Sequence, residues 1–176
     1  MRYIEFVREL KKKLPDVNKL IELGYTNEEI DEIRDSYVLP AKDVGINLYP
    51  EMGEFGELIS KYKVSKLQVG MIEFLAKPLK KNDKFIIGKV EVDQLVYSIK
   101  ESLFYVTDGE KELWKISNCP ESFLDALLNM KDYFSKVMLD ESLYENDEVL
   151  DSCAKKSADL AGGDQFINFY RMLLGI

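Results

Sequence analysis

The feature that most constrains the fold is a change of hydrophobic period between residues 95 and 137. Up to Ser117 the apolar residues alternate in short runs typical of strands, and Asp108-Gly109 forms a tight-turn dipeptide between two of these runs. From Pro120 the apolar spacing becomes three and four residues, which predicts an amphipathic helix of about four turns. Its apolar stripe comprises Phe123, Leu127, Met130, Phe134 and Val137. A hairpin followed directly by such a helix predicts a sheet with one face covered by that helix.

Strand-forming residues also occupy the region between Leu67 and Val92, on both sides of a polar stretch from Lys80 to Lys84. Gly88 inside the second run indicates a bulge or a close approach of two backbones. Phe104 and Val106 are expected on one face of their strand, with Leu103 and Tyr105 on the other.

The two ends of the chain are predicted to be helical. Residues 1–40 carry apolar stripes interrupted by Pro15 and Gly24, and Thr26 stands three residues before Glu29 as in a capping box. The apolar spacing over residues 149–176 predicts two helices.

Together these patterns predict a single α+β domain over residues 1–176. We expect a twisted antiparallel sheet of about four to six strands flanked by helices, with an N-terminal helical segment over 1–40 and a C-terminal helical extension over 149–176. A chain of this length buries enough surface to fold without a metal or a disulfide.

Charge and composition exclude several classes of function. The chain has 24 Lys and Arg against 32 Asp and Glu, a net charge of -8, so nucleic acid and anionic membranes are poor partners. The absence of histidine excludes Ser-His-Asp and Cys-His catalysis and His-ligated zinc. Cys119 and Cys153 are too few for a zinc ribbon and are expected as free thiols in a reducing cytoplasm. No stretch is apolar enough to cross a bilayer, and we expect a cytoplasmic protein.

Four local patterns resemble functional sites. Acids between residues 28 and 35 share a helix face, but a solvated face is favoured over a metal site because Glu-x-x-His pairs are missing. Gly162-Gly163 is favoured as a helix stop over a phosphate loop. Trp114 is favoured as a core residue over an interface anchor. Asp93, Asp108, Glu110 and Glu112 could act as paired acid and base. We assign no catalytic, cofactor-binding or metal-binding residue, and the partner-binding residues stay unassigned.

The strand-to-helix block from Gly88 to Leu128 resembles the SUKH superfamily. The resemblance lies in the strands from Asp93 to Asp108 and in the helix opening at Ser122-Phe123-Leu124, followed by Leu127-Leu128. The helical segment 26–37 followed by Leu39-Pro40 is also similar to the N-terminal part of that family. The resemblance implies a non-enzymatic protein-binding module without a cofactor, an immunity protein that binds and neutralises a cognate bacterial toxin. A basic toxin domain would suit the acidic charge of the chain.

Two alternatives remain open at this point. The first is a small carboxylate-dependent hydrolase using the acids near Asp93 to Glu112, which predicts an enclosed pocket with convergent carboxylates. The second is a homo-oligomeric scaffold in which exposed aromatic residues form the contact between copies. The aromatic residues considered for that contact are Tyr97, Tyr105 and Trp114.

Overall fold

A computed structural model describes residues 1–176 and contains seven α-helices and six strands. The helices are α1 (Tyr3–Lys12), α2 (Val17–Glu22), α3 (Asn27–Tyr37), α4 (Gly53–Lys61), α5 (Pro120–Val137), α6 (Asp147–Ala161) and α7 (Ile167–Leu174). The strands are β1 (Gln68–Val69), β2 (Ile72–Lys81), β3 (Lys84–Val90), β4 (Asp93–Ser98), β5 (Leu103–Asp108) and β6 (Lys111–Ser117). The predicted α+β class, an antiparallel sheet flanked by helices, is confirmed.

The six strands form one curled antiparallel sheet in which each strand pairs with its neighbour in the sequence. The tight turn predicted at Asp108-Gly109 joins β5 to β6, and Gly109 takes a positive φ of 60° there. The predicted irregularity at Gly88 is also confirmed: the register shifts between Ile86 and Gly88, and a Cβ at Gly88 would lie 2.2 Å from the Glu73 carbonyl oxygen.

Two details of the strand region differ from the expected pattern. The apolar run beginning at Leu67 is divided by a turn at Gly70 and Met71 into β1 and β2, because Gly70 adopts a positive φ of 56°. The lysines at positions 80 and 81 lie in β2 rather than in a loop. They are exposed on the part of β2 that extends beyond its pairing with β1 and so lies at the sheet edge, where charged side chains are tolerated.

Helix α5 covers the sheet face that carries Phe104 and Val106, as expected from the alternation. Phe123 of α5 stacks on Phe104 with ring centroids 4.1 Å apart and contacts Phe55 of α4 edge-on at 5.2 Å. All three rings are fully buried. They belong to one core of 38 buried residues that extends from α1 to α7.

The helix ends follow from local chemistry. Thr26 and Glu29 form the predicted capping box of α3, in which each side chain bonds the backbone N–H of the other. The cap of α5 is Cys119, whose Sγ accepts from the Ser122 N–H at 3.4 Å. Helix α6 stops at Gly162, which is left-handed with a φ of 119°, so the predicted helix stop is confirmed.

The N-terminal and C-terminal helices are both joined to the central element. Ser135 of α5 donates to the Lys13 carbonyl at 2.6 Å after the end of α1, while Asn129 of α5 donates to the Ser157 hydroxyl of α6 at 2.9 Å. Tyr170 of α7 donates to the Ile116 carbonyl of β6 at 3.1 Å. Helix α5 is therefore the common support of the helical layer. None of the seven helices has the length and apolar character of a bilayer-spanning segment.

Candidate binding cleft

The acids considered for hydrolysis do not meet in a cleft. Asp108, Glu110 and Glu112 are exposed around the β5–β6 turn, and Asp93 is half-buried at the start of β4. Glu112 lies 4.0 Å from Lys115, and none of the four acids lines either of the two clefts beside α5. This placement lacks the enclosed carboxylate pair that the hydrolase interpretation predicts.

The aromatic residues considered for a contact between copies are mostly inaccessible, which corrects that expectation. Tyr97 is 2% exposed and donates to the Glu51 carbonyl at 3.1 Å. Tyr105 is 5% exposed, and the Lys84 Nζ lies 5.4 Å from its ring centroid. Trp114 is half-buried and packs against the core, in agreement with its favoured interpretation. The reason is that both faces of β4 and β5 are buried in the curled sheet.

The acids of α3 form no metal site. No group of three or more His, Cys, Asp or Glu side chains is arranged to hold an ion anywhere in the chain. Glu28 and Asp31 face solvent, as expected for a solvated helix face. Glu29 and Glu32 instead border a cleft between α3, α5 and α7.

This cleft, which we call the glutamate cleft, has a volume of about 960 Å³ and lies between α3, the end of α5 and the end of α7. Its lining includes the last turns of all three helices. The β1–β2 turn at Gly70 and Met71 closes one side, and a 3-10 turn over Glu141–Glu145 forms another. The apolar part of the lining comprises Ile33, Met71, Phe134, Val137, Met138, Met172, Leu173 and Leu174.

The rim of the cleft is acidic and uncompensated. Four glutamates, at positions 29, 32, 141 and 145, are all exposed. None of them forms an ion pair within the chain. Glu29 accepts hydrogen bonds from the Thr26 N–H and hydroxyl, which lower the pKa of its carboxyl and keep it ionised. The rim therefore carries negative charge on two elements, α3 and the turn over Glu141–Glu145.

The only base in the lining is Lys131, and it lies beneath the rim. Its side chain is 3% exposed; its Nζ donates to the Ser36 hydroxyl and, at 2.7 Å, to the Gln68 carbonyl. The Nζ also lies 4.0 Å from the centroid of the Tyr37 ring, a cation–π contact. Burial lowers the pKa of Lys131 to about 7, and no carboxylate offsets that effect. Lys131 therefore links α5 to α3 and β1 through its hydrogen bonds. It forms no ion pair with the four rim glutamates, so their negative charge is not compensated.

A second cleft, which we call the mixed cleft, lies on the α6 side of α5 and has a volume of about 540 Å³. Its charges are balanced, since Asp132 and Glu148 line it together with Lys136 and Lys156. Asp132 bonds Lys136 at 2.7 Å and Lys13 at 2.9 Å. Burial raises the pKa of Cys153 in this cleft to about 11, so its thiol stays protonated at neutral pH.

The sheet edges offer little to a partner strand. Strand β1 pairs with only the first two residues of β2, and the rest of that edge carries Pro78 and exposed lysines. The opposite edge, β6, exposes Lys111, Glu112 and Lys115. Proline and charged side chains commonly protect sheet edges, so neither edge is suited to pairing with a strand of another molecule.

Sequence reasoning did not identify this cleft, although two signals for it are present. Lys131 follows Leu127 by four residues and so interrupts the apolar stripe of α5 with a charge. The stretch 140–148 contains acids and no base. Neither signal shows that residues near positions 32, 131, 145 and 174 come together, because that depends on the packing of α3 and α7 around α5.

Comparisons of the chain with protein-family models, curated proteins and solved structures give no match.

Proposed function

We propose that this chain is a non-enzymatic protein-binding module that binds a basic partner protein and blocks it, as an immunity protein does with a toxin domain. The observation that carries the proposal is the glutamate cleft, which combines an apolar lining with four rim carboxylates that have no ion-pair partner in the chain. The toxin as partner comes from the SUKH resemblance of residues 88–128. A toxin that acts on nucleic acid presents a basic surface to its substrate.

Charge would act first on the rate of association. A net charge of -8 attracts a basic protein over a distance of about a Debye length, roughly 8 Å at physiological salt. Apolar contact in the cleft would then slow dissociation, because a desolvated centre carries most of the energy of a protein interface. Bound in this way, the chain would cover the surface that the toxin presents to nucleic acid.

The chemistry of the cleft suits binding. The Lys131 amine donates to two protein acceptors, so it is a fixed part of the lining. The rim carboxylates are exposed and lie on α3 and on the turn over 141–145. Exposed carboxylates beside an apolar surface favour contact with a cationic and apolar protein surface.

Co-expression with a toxin candidate encoded beside this chain tests the proposal. We expect the chain to restore growth and to form a stoichiometric complex with the inactive toxin in size-exclusion chromatography. Raising the salt concentration should slow association much more than dissociation. Absence of both rescue and complex with every adjacent basic candidate would reject the proposal.

A further inference from the structure

We propose that the glutamate cleft binds a basic amphipathic segment of the partner, with apolar side chains on its floor and Lys or Arg side chains at its rim. This inference rests on the proposed function and adds to it the binding site and the chemical class of the bound segment. Three features of the cleft support it: the charge of the rim, the character of the floor and the aromatic residues between them.

The rim charge favours a cation over any other occupant. In addition to the four glutamates, the last turns of α3, α5 and α7 line the cleft. The C-terminal end of a helix carries partial negative charge and attracts cations. Since Lys131 is buried beneath the rim, positive charge at the entrance has to come from another molecule.

The floor favours an apolar side chain of variable shape. Met71, Met138 and Met172 are half-buried in the lining, where they lie beside Phe134 and Leu173. Methionine is flexible and polarizable, and surfaces rich in it adapt to different apolar partners. An adaptable apolar groove is the surface that an amphipathic helix or strand typically occupies.

Two tyrosines border both the rim and the floor. Tyr25 is half-buried before α3, and Tyr144 is 50% exposed in the turn that carries Glu141 and Glu145. An aromatic face beside a carboxylate attracts a guanidinium or ammonium through the ring quadrupole and the charge together. A segment with alternating apolar and basic positions meets all three features of the cleft.

The test uses a labelled peptide of Leu and Lys about 15 residues long, arranged so that one face of a helix is apolar. A Leu/Glu peptide of the same pattern and a Ser/Lys peptide without apolar residues serve as comparisons. Fluorescence anisotropy should show saturable binding of the Leu/Lys peptide alone. Equal binding of the Ser/Lys peptide would mean that charge is sufficient, and would overturn the proposal.

A matched pair of variants locates the site. Glu32→Lys with Glu145→Lys reverses two rim charges, while Glu28→Lys with Glu110→Lys makes the same change in net charge at exposed positions outside the cleft. We expect the rim pair to weaken binding by about tenfold or more and the control pair by less than about threefold. Equal weakening by the two pairs would show that general attraction, and not the cleft, binds the peptide.

The outcomes separate this inference from the proposed function. If toxin rescue succeeds but is unaffected by the rim pair, the cleft assignment is wrong while the immunity function stands. If the peptide binds in the cleft but no toxin is neutralised, the cleft assignment stands and the immunity function fails. Self-association of the chain that is abolished by the rim pair would make a second copy the occupant and overturn the inference.

Discussion

Lys131 and Asp132 are adjacent on α5, yet they carry their charge in opposite settings. Asp132 lies in the mixed cleft, where burial raises the pKa of its carboxyl, but the hydrogen bonds and charges of Lys136 and Lys13 together lower that pKa below its ordinary value. Lys131 lies under the glutamate cleft with a hydroxyl, a carbonyl and an aromatic ring around it. Neighbouring positions of one helix thus face two different clefts. In the mixed cleft the acidic and basic side chains balance one another, whereas in the glutamate cleft the rim acids have no ion-pair partner.

The difference shows how a net charge is distributed over a fold. In the mixed cleft acids and bases of the same chain compensate one another, so little is left for another molecule. In the glutamate cleft the single base is buried below the rim and the acids remain free. Excess negative charge therefore indicates a binding surface only where the acids have no ion-pair partner and lie beside an apolar surface.

The largest expected effect is on the free energy of unfolding, and it compares one aromatic residue from each cleft, Phe134 of the glutamate cleft and Tyr133 of the mixed cleft. Phe134 in the glutamate cleft supports Gly70, where an added Cβ would lie 2.7 Å from its ring. Phe134→Ala should lower the free energy of unfolding by about 3–5 kcal/mol, since it removes the packing of a large ring that is only 9% exposed. The neighbouring Tyr133→Phe removes one hydrogen bond, from Tyr133 to the Leu143 carbonyl at 3.4 Å, and should cost about 0.5–1.5 kcal/mol. Urea unfolding would contradict this account if the two losses were equal.

The next effect is a pH dependence that originates at Lys131. Because its pKa is about 7 in the folded chain and 10.5 as its ordinary value, the unfolded chain holds a proton that the folded chain releases in this window. Stability should therefore rise from pH 7 toward pH 10 with a slope on the order of 1 kcal/mol per pH unit from this group.

Lys131→Met should remove that rise. Lys136→Met, a change on the same helix at an exposed lysine, should retain it. The measurement is denaturant unfolding at several pH values for the three proteins. An identical pH dependence in all three would mean that Lys131 is an ordinary lysine.

A smaller effect of opposite sign is expected at Asp132. The pKa of its carboxyl is lowered in the folded chain, so its contribution to stability is present above its ordinary pKa of 3.8 and is lost as the pH falls below that value. Asp132→Asn should lower the free energy of unfolding at neutral pH, because it removes the charge that the two lysines bind. The loss should be only about 1 kcal/mol, because the lysine partners are partly exposed. The difference from the unmodified chain should vanish in acid. A difference that persists in acid would point to packing and not to charge.

Much of the fold could be predicted because its signals are local. The capping box at Thr26, the turn at Gly109 and the apolar stripe of α5 each depend on residues a few positions apart. The division of the first strand at Gly70 was not predicted, since it depends on a turn packed against Phe134 of a distant helix. The same limit applies to the curl of the sheet, which buries Tyr105 on the face opposite the helices.

The candidate site could not be predicted for a related reason. Its residues come from four separate parts of the chain, and only their packing places Glu32 near the end of α7. The C-terminal region could be recognised as helical, but its sequence does not show that its last turn lines a cleft. Composition indicated an acidic protein, whereas the pairing of each acid decides which surface stays charged.

The six methionines allow the central claim to be tested in one measurement, the methyl NMR spectrum of the methionine-labelled chain during titration with the Leu/Lys peptide. Met71, Met138 and Met172 line the glutamate cleft, while Met1, Met52 and Met130 lie outside it. The account predicts that the three cleft signals shift together with peptide occupancy and that the other three stay in place. Shifts confined to the other three, or equal shifts of all six, would contradict it.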